Sequence, residues 1–300
     1  MLKFITGKIG VKVSIIVNIF IFVVIAAGTY VLIEKQSKSL EQELLSRGKI
    51  QAIIGAKMVG QLLEEAIDNG VFSVKDAFDT DYEKIGDFDP PKYHTRYDSY
   101  LDKAILSLQD EFLLDSSIVF AVTVDKNGYL PTHNTKYQKP ITGDIEKDRV
   151  GNRTKRIFND PVGLKAAINT TKGFLQIYHR DTGVTMWDIS SPIYVKGKHW
   201  GGFRIGLSLK AIQAAQSDLR FTLFGIMATI LILSLTLIFI IVNRSLAPIR
   251  TLSDIANSLA KGERLEEEIP VTTQDEIGEL QGAVDRLRIS MVIAMRRMKK

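Results

Sequence analysis

The sequence predicts an α+β membrane protein. Two membrane-spanning helices flank a domain built from a long N-terminal helix and an antiparallel sheet, and a helical bundle module follows the second span. Three observations carry this. Residues 13–33 and 221–243 are runs of 21 and 23 residues without a charge, each long enough to cross the ~30 Å hydrocarbon core as a helix. Between them the apolar pattern changes from a helical period to a strand period. After the second run, apolar residues recur at steps of three and four, the seam spacing of a coiled coil.

Composition narrows the classes. The 300 residues carry a net charge of +5 and no cysteine. Disulfides, thiolate metal sites, a cysteine nucleophile and covalent haem through CxxCH are therefore excluded, and no cofactor is expected. The basic residues are scattered and do not form a stripe interleaved with aromatics, so nucleic acid is not an expected partner.

Residues 1–12 carry Lys3, Lys8 and Lys12 and no acid. The run that follows is longer than the 7–15 residue core of a secretory signal and ends in Tyr30-Val31-Leu32-Ile33, a poor cleavage context, so it reads as an uncleaved span. Basic residues concentrate in cytoplasmic loops. Lysines precede the first span, and Arg244 and Arg250 follow the second. Residues 34–220 are near neutral, with 26 basic against 25 acidic side chains. Both termini are expected inside, with the 187-residue middle outside.

Residues 34–68 lack proline and space Leu40, Leu44, Ile54, Met58 and Leu62 largely as a helix, which predicts an outward continuation of the first span. Asn69-Gly70 is the stop, and residues 79–91 read as an acidic, proline-ended loop. Residues 97–114 read as one helix with Leu101, Ile105, Leu108 and Phe112 on a face. Residues 118–124 are a β-branched run, and Asn127-Gly128 predicts a hairpin returning along 129–133. Residues 134–172 read as irregular apart from a helix opened by Asp160 and Pro161. Three strands follow at 174–180, 184–195 and 199–209, with turns at Asp181-Thr182-Gly183 and Lys196-Gly197-Lys198. Residues 209–219 read as a helical stalk into the second span.

Beyond that span, Pro248 opens a stretch with Ile249, Leu252, Ala256 and Leu259 in phase, and Gly262 ends it. A polar connector, 263–274, is interrupted by Leu265 and Ile269. The next helix carries Ile277, Leu280, Val284, Leu287, Met291, Ala294 and Met298, a seam three heptads long. With Pro248, Gly262 and the run Asp275-Glu276-Ile277-Gly278, residues 244–300 resemble the HAMP linker of bacterial membrane receptors. The resemblance implies a parallel four-helix bundle, hence a homodimer, and a relay role for Pro248, Gly262, Asp275, Glu276 and Gly278. Charges on these helices are mixed, unlike the basic face of a surface-lying helix.

The middle domain, 34–220, is similar to the PAS-like Cache sensor domains of chemoreceptors. The likeness rests on residues 152–161 (NRTKRIFNDP), Met186-Trp187-Asp188, Tyr194-Val195 and residues 199–206 (HWGGFRIG). Together the parts resemble a methyl-accepting chemotaxis protein that lacks its cytoplasmic signalling domain. Such receptors continue into a methylated helical hairpin that controls a kinase, and this chain stops at Lys300. The expected localisation is a bacterial inner membrane, with the sensor domain periplasmic or extracellular.

Strand alternation selects a candidate ligand site. Gln176, Tyr178 and Arg180 share a face, as do Met186, Asp188 and Ser190, and Arg204 lies with Gly202 and Gly206. The opposite faces (Trp187, Ile189, Phe203, Ile205, Leu207) would pack on the long helix. Tyr178, Asp188 and Arg204 could line a pocket roofed by residues 134–172, with the glycines admitting a ligand. Arginine grips a carboxylate and aspartate accepts from an ammonium, so amino or organic acids are the candidates. The equal alternative is a structural Asp188–Arg204 ion pair. Arg153 and Arg156, in a basic cluster with Lys155, are further candidate anion contacts, the alternative being loop charges that are simply solvated. His94, His133, His179 and His199 have no metal-ligand spacing and read as surface or turn residues.

No catalytic constellation occurs: there is no HExxH, nucleophile elbow, phosphate loop, or kinase or cyclase signature. The sequence therefore predicts a non-enzymatic transmembrane sensor of chemoreceptor type. The rivals are the input half of a sensor histidine kinase or nucleotide cyclase, and an accessory subunit of a full-length chemoreceptor or kinase complex.

Overall fold

The computed structural model describes residues 9–180 and 183–298. The chain forms two compact units, Ile33–Phe221 and the residues flanking it on both sides. Lys3 and Lys8, the Asp181-Thr182 part of an expected turn and the side chain of Met298 lie outside the described residues.

Helix α1, Ile9–Asp68, is unbroken over 60 residues, as the proline-free pattern predicts. Its arm in the central unit buries Ala52, Ala56, Val59 and Leu63, spaced four, three and four apart. Gly70 takes φ +70°. The Gly70 N–H then reaches the Ile67 carbonyl (3.0 Å) and the Val71 N–H reaches Ala66 (2.9 Å), a Schellman stop. A short helix α2 (Val74–Ala77) follows, with a capping box between Ser73 and Asp76.

The expected loop at 79–91 holds a strand. β1 (Glu83–Ile85) pairs with β2 (Lys92–His94) as an antiparallel ribbon. A charged three-residue strand has too little apolar pattern to be legible. The expected helix at 97–114 is three pieces: α3 (Asp98–Ala104), α4 (Leu106–Glu111) and a 3₁₀ turn, Phe112–Leu114. Gln109, not Leu108, is the fully buried residue of α4.

β3 (Ile118–Asp125) forms no hairpin with the residues after Asn127-Gly128. The Asp125 carboxylate accepts from the Asn127 and Tyr129 N–H groups, both at 2.9 Å. The chain thus turns out of the sheet, and β4 is only Tyr129–Leu130. It pairs with β5 (Arg156–Ile157), beyond a helix α5 (Ile145–Gly151) that lies in the stretch expected to be irregular. Helix α6 (Pro161–Ile168) opens as expected: Asp160 accepts from the Val162 and Gly163 N–H groups with Pro161 in the first turn.

β6 (Phe174–His179), β7 (Thr185–Val195) and β8 (Lys198–Ser208) complete an antiparallel sheet of order β3-β8-β7-β6. β3 is an edge strand, and side chains occupy its open side. Ala121 N–H donates to Asn134 Oδ1 (3.0 Å) and Thr123 N–H to Gln109 Oε1 (2.9 Å). This blunts an edge that would otherwise invite another strand. Burial falls on both faces of the sheet. Ile189, Ile193, Phe203, Ile205 and Leu207 pack with the α1 residues, while Phe120, Val122, Leu130, Tyr178 and Met186 form a second cluster.

Helix α7, Leu209–Ala260, starts at the residue after β8 and continues for 52 residues. Pro248 lies inside it, which corrects the expectation of a helix start there. Proline removes one N–H donor and crowds the preceding turn, yet the helix carries on for three more turns. Gly262 (φ +77°) then stops it, with Gly262 N–H on Leu259 O (2.9 Å) and Glu263 N–H on Ser258 O (2.9 Å). Leu252, Leu259 and Ile269 are buried together, with Ile255, Leu265 and Val284 beside them. Helix α8 is Glu276–Met298.

Candidate functional site

The alternation of β6, β7 and β8 delivers Tyr178, Asp188 and Arg204 to the face of the sheet opposite α1. Arg204 pairs in register with Ser190, two residues beyond Asp188, a diagonal that long side chains span. Arg204 Nε donates to Asp188 Oδ1 at 3.0 Å, and both side chains are buried. The second carboxylate oxygen accepts from Gln176 Nε2 (3.2 Å). The ion-pair alternative is thus the arrangement present, and Asp188 is not among the residues lining the cavity at this face. Burial pushes the Asp188 carboxyl above its ordinary range, against the pull of the Arg204 guanidinium.

That cavity holds about 20 Å³, lined by Phe120, Leu130, His133, Arg153, Tyr178, Arg180 and Arg204, with Val122 and Phe158. Space of that size admits roughly one water molecule. Arg204 packs over the Tyr178 ring (5.4 Å) and the Phe120 ring (5.8 Å). Arg180 lies over Tyr137 (4.6 Å) and donates from Nη1 to its hydroxyl (3.1 Å). Nη2 of Arg204 is buried and has no hydrogen-bond partner.

Two site expectations are corrected. Gly202 and Gly206 do not admit a ligand. A methyl group on Gly206 would collide with the Phe120 ring, and one on Gly202 would come within 2.7 Å of the Ala166 carbonyl. Both glycines make room for the protein itself. His133, read as a surface or turn residue, is buried and lines the cavity. Its Nδ1 accepts from the Asn134 N–H (2.8 Å). Burial, helped by Arg180 and Arg153, holds its pKa well below the usual histidine value.

Of the basic cluster, Arg153 is buried against the Phe158 ring (4.9 Å) and lines the cavity. Arg156 covers the same ring (5.0 Å) and donates to Arg149 O (3.1 Å) without lining the cavity. Lys155 turns away: φ is +61°, and Nζ binds Asp102 (2.6 Å) and Asp98 (3.1 Å). His133 and Arg180 escaped the sequence reading as site residues. Arg180 already shared a strand face with Tyr178, and that signal could have found it.

The residues expected to act as a relay are placed by backbone geometry. Asp275 Oδ1 accepts from the Ile277 (3.1 Å) and Gly278 (3.2 Å) N–H groups and so caps α8, whose first residue is Glu276. A side chain at Gly278 would collide with the Thr273 carbonyl. The connector is tied to α8 by polar residues. Ile269 N–H donates to Asp285 (3.1 Å), Thr272 N–H to buried Gln281 (2.7 Å), and Arg288 Nη1 to Leu265 O (2.9 Å).

Residues 240–292 match the HAMP domain. The match takes in the end of α7, the connector and most of α8. No curated protein matches the chain. Among solved structures the chain is similar to the E. coli DcuS sensor domain, at 19% identity over 39% of this chain and 75% of that one, with a TM-score of 0.28. α1 and α7 are each long and apolar enough to cross a membrane. The sheet domain lies between these two helices in the chain, and the HAMP domain begins in the second of them.

Proposed function

We propose that the protein is a homodimeric receptor of chemoreceptor type in the bacterial inner membrane, without enzymatic activity of its own. A small molecule binds the outer domain at the cavity lined by Tyr178, Arg153 and Arg204, and a conformational signal passes to the HAMP domain. One observation carries this reading: α7 begins where β8 ends and finishes inside the HAMP region, so a shift of the strand bearing Arg204 is transmitted along one unbroken element. Helix-shift switches move by ~1–2 Å, and the ligand biases the states by its differential affinity. The chemoreceptor assignment is supported by the motifs at 152–161 and 199–206.

Dimerisation is supported by the seam of α8. Leu280 and Leu287 are 48% and 58% exposed in a single chain, and a parallel partner would cover both. Because the chain has no cysteine, single introduced cysteines report without background. Leu287→Cys in membranes is expected to give a disulfide-linked dimer under mild oxidation. An impermeant maleimide on intact cells is expected to label Leu114→Cys, on the outer domain, and to spare Leu287→Cys until the membrane is opened. Labelling of Leu287→Cys from outside would refute the topology.

A further inference from the structure

We propose that the cleft between α1 and the uncovered edge of β7 is a second ligand site, which takes an aromatic anion: a single ring bearing one acidic group. The site is separate from the cavity of the receptor reading above, and only its part in signalling rests on that reading.

The cleft exists because β6 is short. β6 pairs with β7 from Thr185 to Ser190 and stops there, while β7 runs on to Val195. Past that point Ser191, Pro192 and Tyr194 of β7 line a gap with Lys172, and α1 supplies the facing wall. Ile53, Lys57, Gly60 and Glu64 reach it at steps of four, three and four, one flank of the helix. Pro192 has no N–H to leave unpaired on an open edge. A methyl group on Gly60 would come within 2.8 Å of the Tyr194 carbonyl, so helix and strand close on each other there. The cleft holds about 250 Å³, against about 20 Å³ for the cavity at Arg204. That is near the lower end, ~300 Å³, of small-molecule pockets.

The lining selects the ligand. Tyr194 is 44% exposed, and its ring rests against the His199 ring at 5.6 Å. With Pro192, Ile53 and Ala56 it offers an apolar surface and an aromatic partner to one ring. Among the described residues, the Lys57 and Lys172 ammonium groups make no hydrogen bond or ion pair. The one carboxylate in the lining, Glu64, already accepts from the Lys196 N–H (2.6 Å). Charge complementarity therefore favours an anion, and an amine would meet two like charges. An anion without a ring would leave the Tyr194 surface uncovered.

The cleft also sits where binding could be felt. β7 pairs with β8 at Pro192–Gly202 and Ile193–Gly201, and α7 follows β8 directly. A ligand touching Lys57 and Tyr194 ties α1 to the sheet that leads into α7, and biases their arrangement by its differential affinity.

The test is titration calorimetry and thermal unfolding of the full chain in nanodiscs. Phenylacetate and benzenesulfonate are the probes, with acetate and phenethylammonium as controls at matched ionic strength. At least one aromatic anion is expected to bind saturably and raise the unfolding midpoint, with both controls at least tenfold weaker. Tyr194→Ala, and Lys57→Ala with Lys172→Ala, remove exposed groups and are each expected to weaken that anion at least fivefold. Lys139→Ala with Lys147→Ala, which removes two charges elsewhere, is expected to leave it unchanged. The proposal is overturned if neither aromatic anion binds, if a control comes within tenfold, if either cleft variant loses less than fivefold, or if the distant pair loses as much. If the anion binds as expected but leaves the Leu287→Cys disulfide yield unchanged, the site stands and its part in signalling falls.

Discussion

At Asp188 and Arg204 two charges lie within hydrogen-bond distance, 3.0 Å apart, and almost wholly out of water. Removing one partner of such a pair strands the other, which costs about 3–5 kcal/mol, whereas replacing both with apolar residues is often neutral. Asp188→Ala is therefore expected to destabilise the sheet domain by about that amount, and Asp188→Leu with Arg204→Met to recover most of it, measured by denaturant unfolding. His133 supplies a pH dependence. Its folded pKa is depressed, so the unfolded chain binds the proton more readily. Stability from this group is present above the unfolded value of about 6.5 and is lost as pH falls below it. The unfolding midpoint is expected to drop between pH 7.5 and 5.5, and His133→Phe to flatten that slope. Neither residue could be assigned from neighbours in sequence. Arg204 was legible as a pocket residue because strand alternation gives its face, but its idle nitrogen depends on where Asp188 and Gln176 sit. His133 lies among polar residues, which hid its burial.

At the scale of elements, glycines and side-chain amides decide where strands and helices end. Gly262 has φ +77°, and an alanine there is strained by about 1–2 kcal/mol. Gly278→Ala is expected to be worse, because its methyl group meets the Thr273 backbone and not a movable side chain. Loss of α8 helicity in circular dichroism of the full chain would register it, with Gly282→Ala as a tolerated control, since its nearest neighbour would be 3.5 Å away. On β3, Asn134→Ala leaves the buried Ala121 N–H without its acceptor. The expected loss is about 1–3 kcal/mol, with faster amide exchange at Ala121 as the local readout. The sequence signal for a hairpin at Asn127-Gly128 misled because it reports a turn and not a partner. Asp125 captured the turn's N–H groups, and the edge it left open was filled from α4 and residue 134.

At the scale of the whole chain, patterns of long period were legible and short ones were not. The two uncharged runs, the proline-free continuation of the first, the β6–β8 meander and the heptad seam each repeat a signal over ten or more residues. A repeated signal survives local exceptions, so α1 and the meander came out with nearly their observed ends. β1, β4, β5 and α5 are each seven residues or fewer and owe their form to the neighbours they meet. Pro248 shows the same limit from the other side. Its local preference predicted a break, yet the helix persists through it, as the turns on either side are already formed.

Uncharged runs and hydrophobic periodicity determined the two long apolar helices, the antiparallel meander and the face of the sheet that holds the candidate site. Periodicity reports which way each side chain points, and burial of apolar area follows from that. Tertiary structure alone decided that Asp188 is Arg204's partner, that His133 joins the cavity, and that the glycines of β8 serve packing. Those outcomes depend on contacts between residues far apart in the chain, and no spacing within a strand encodes them.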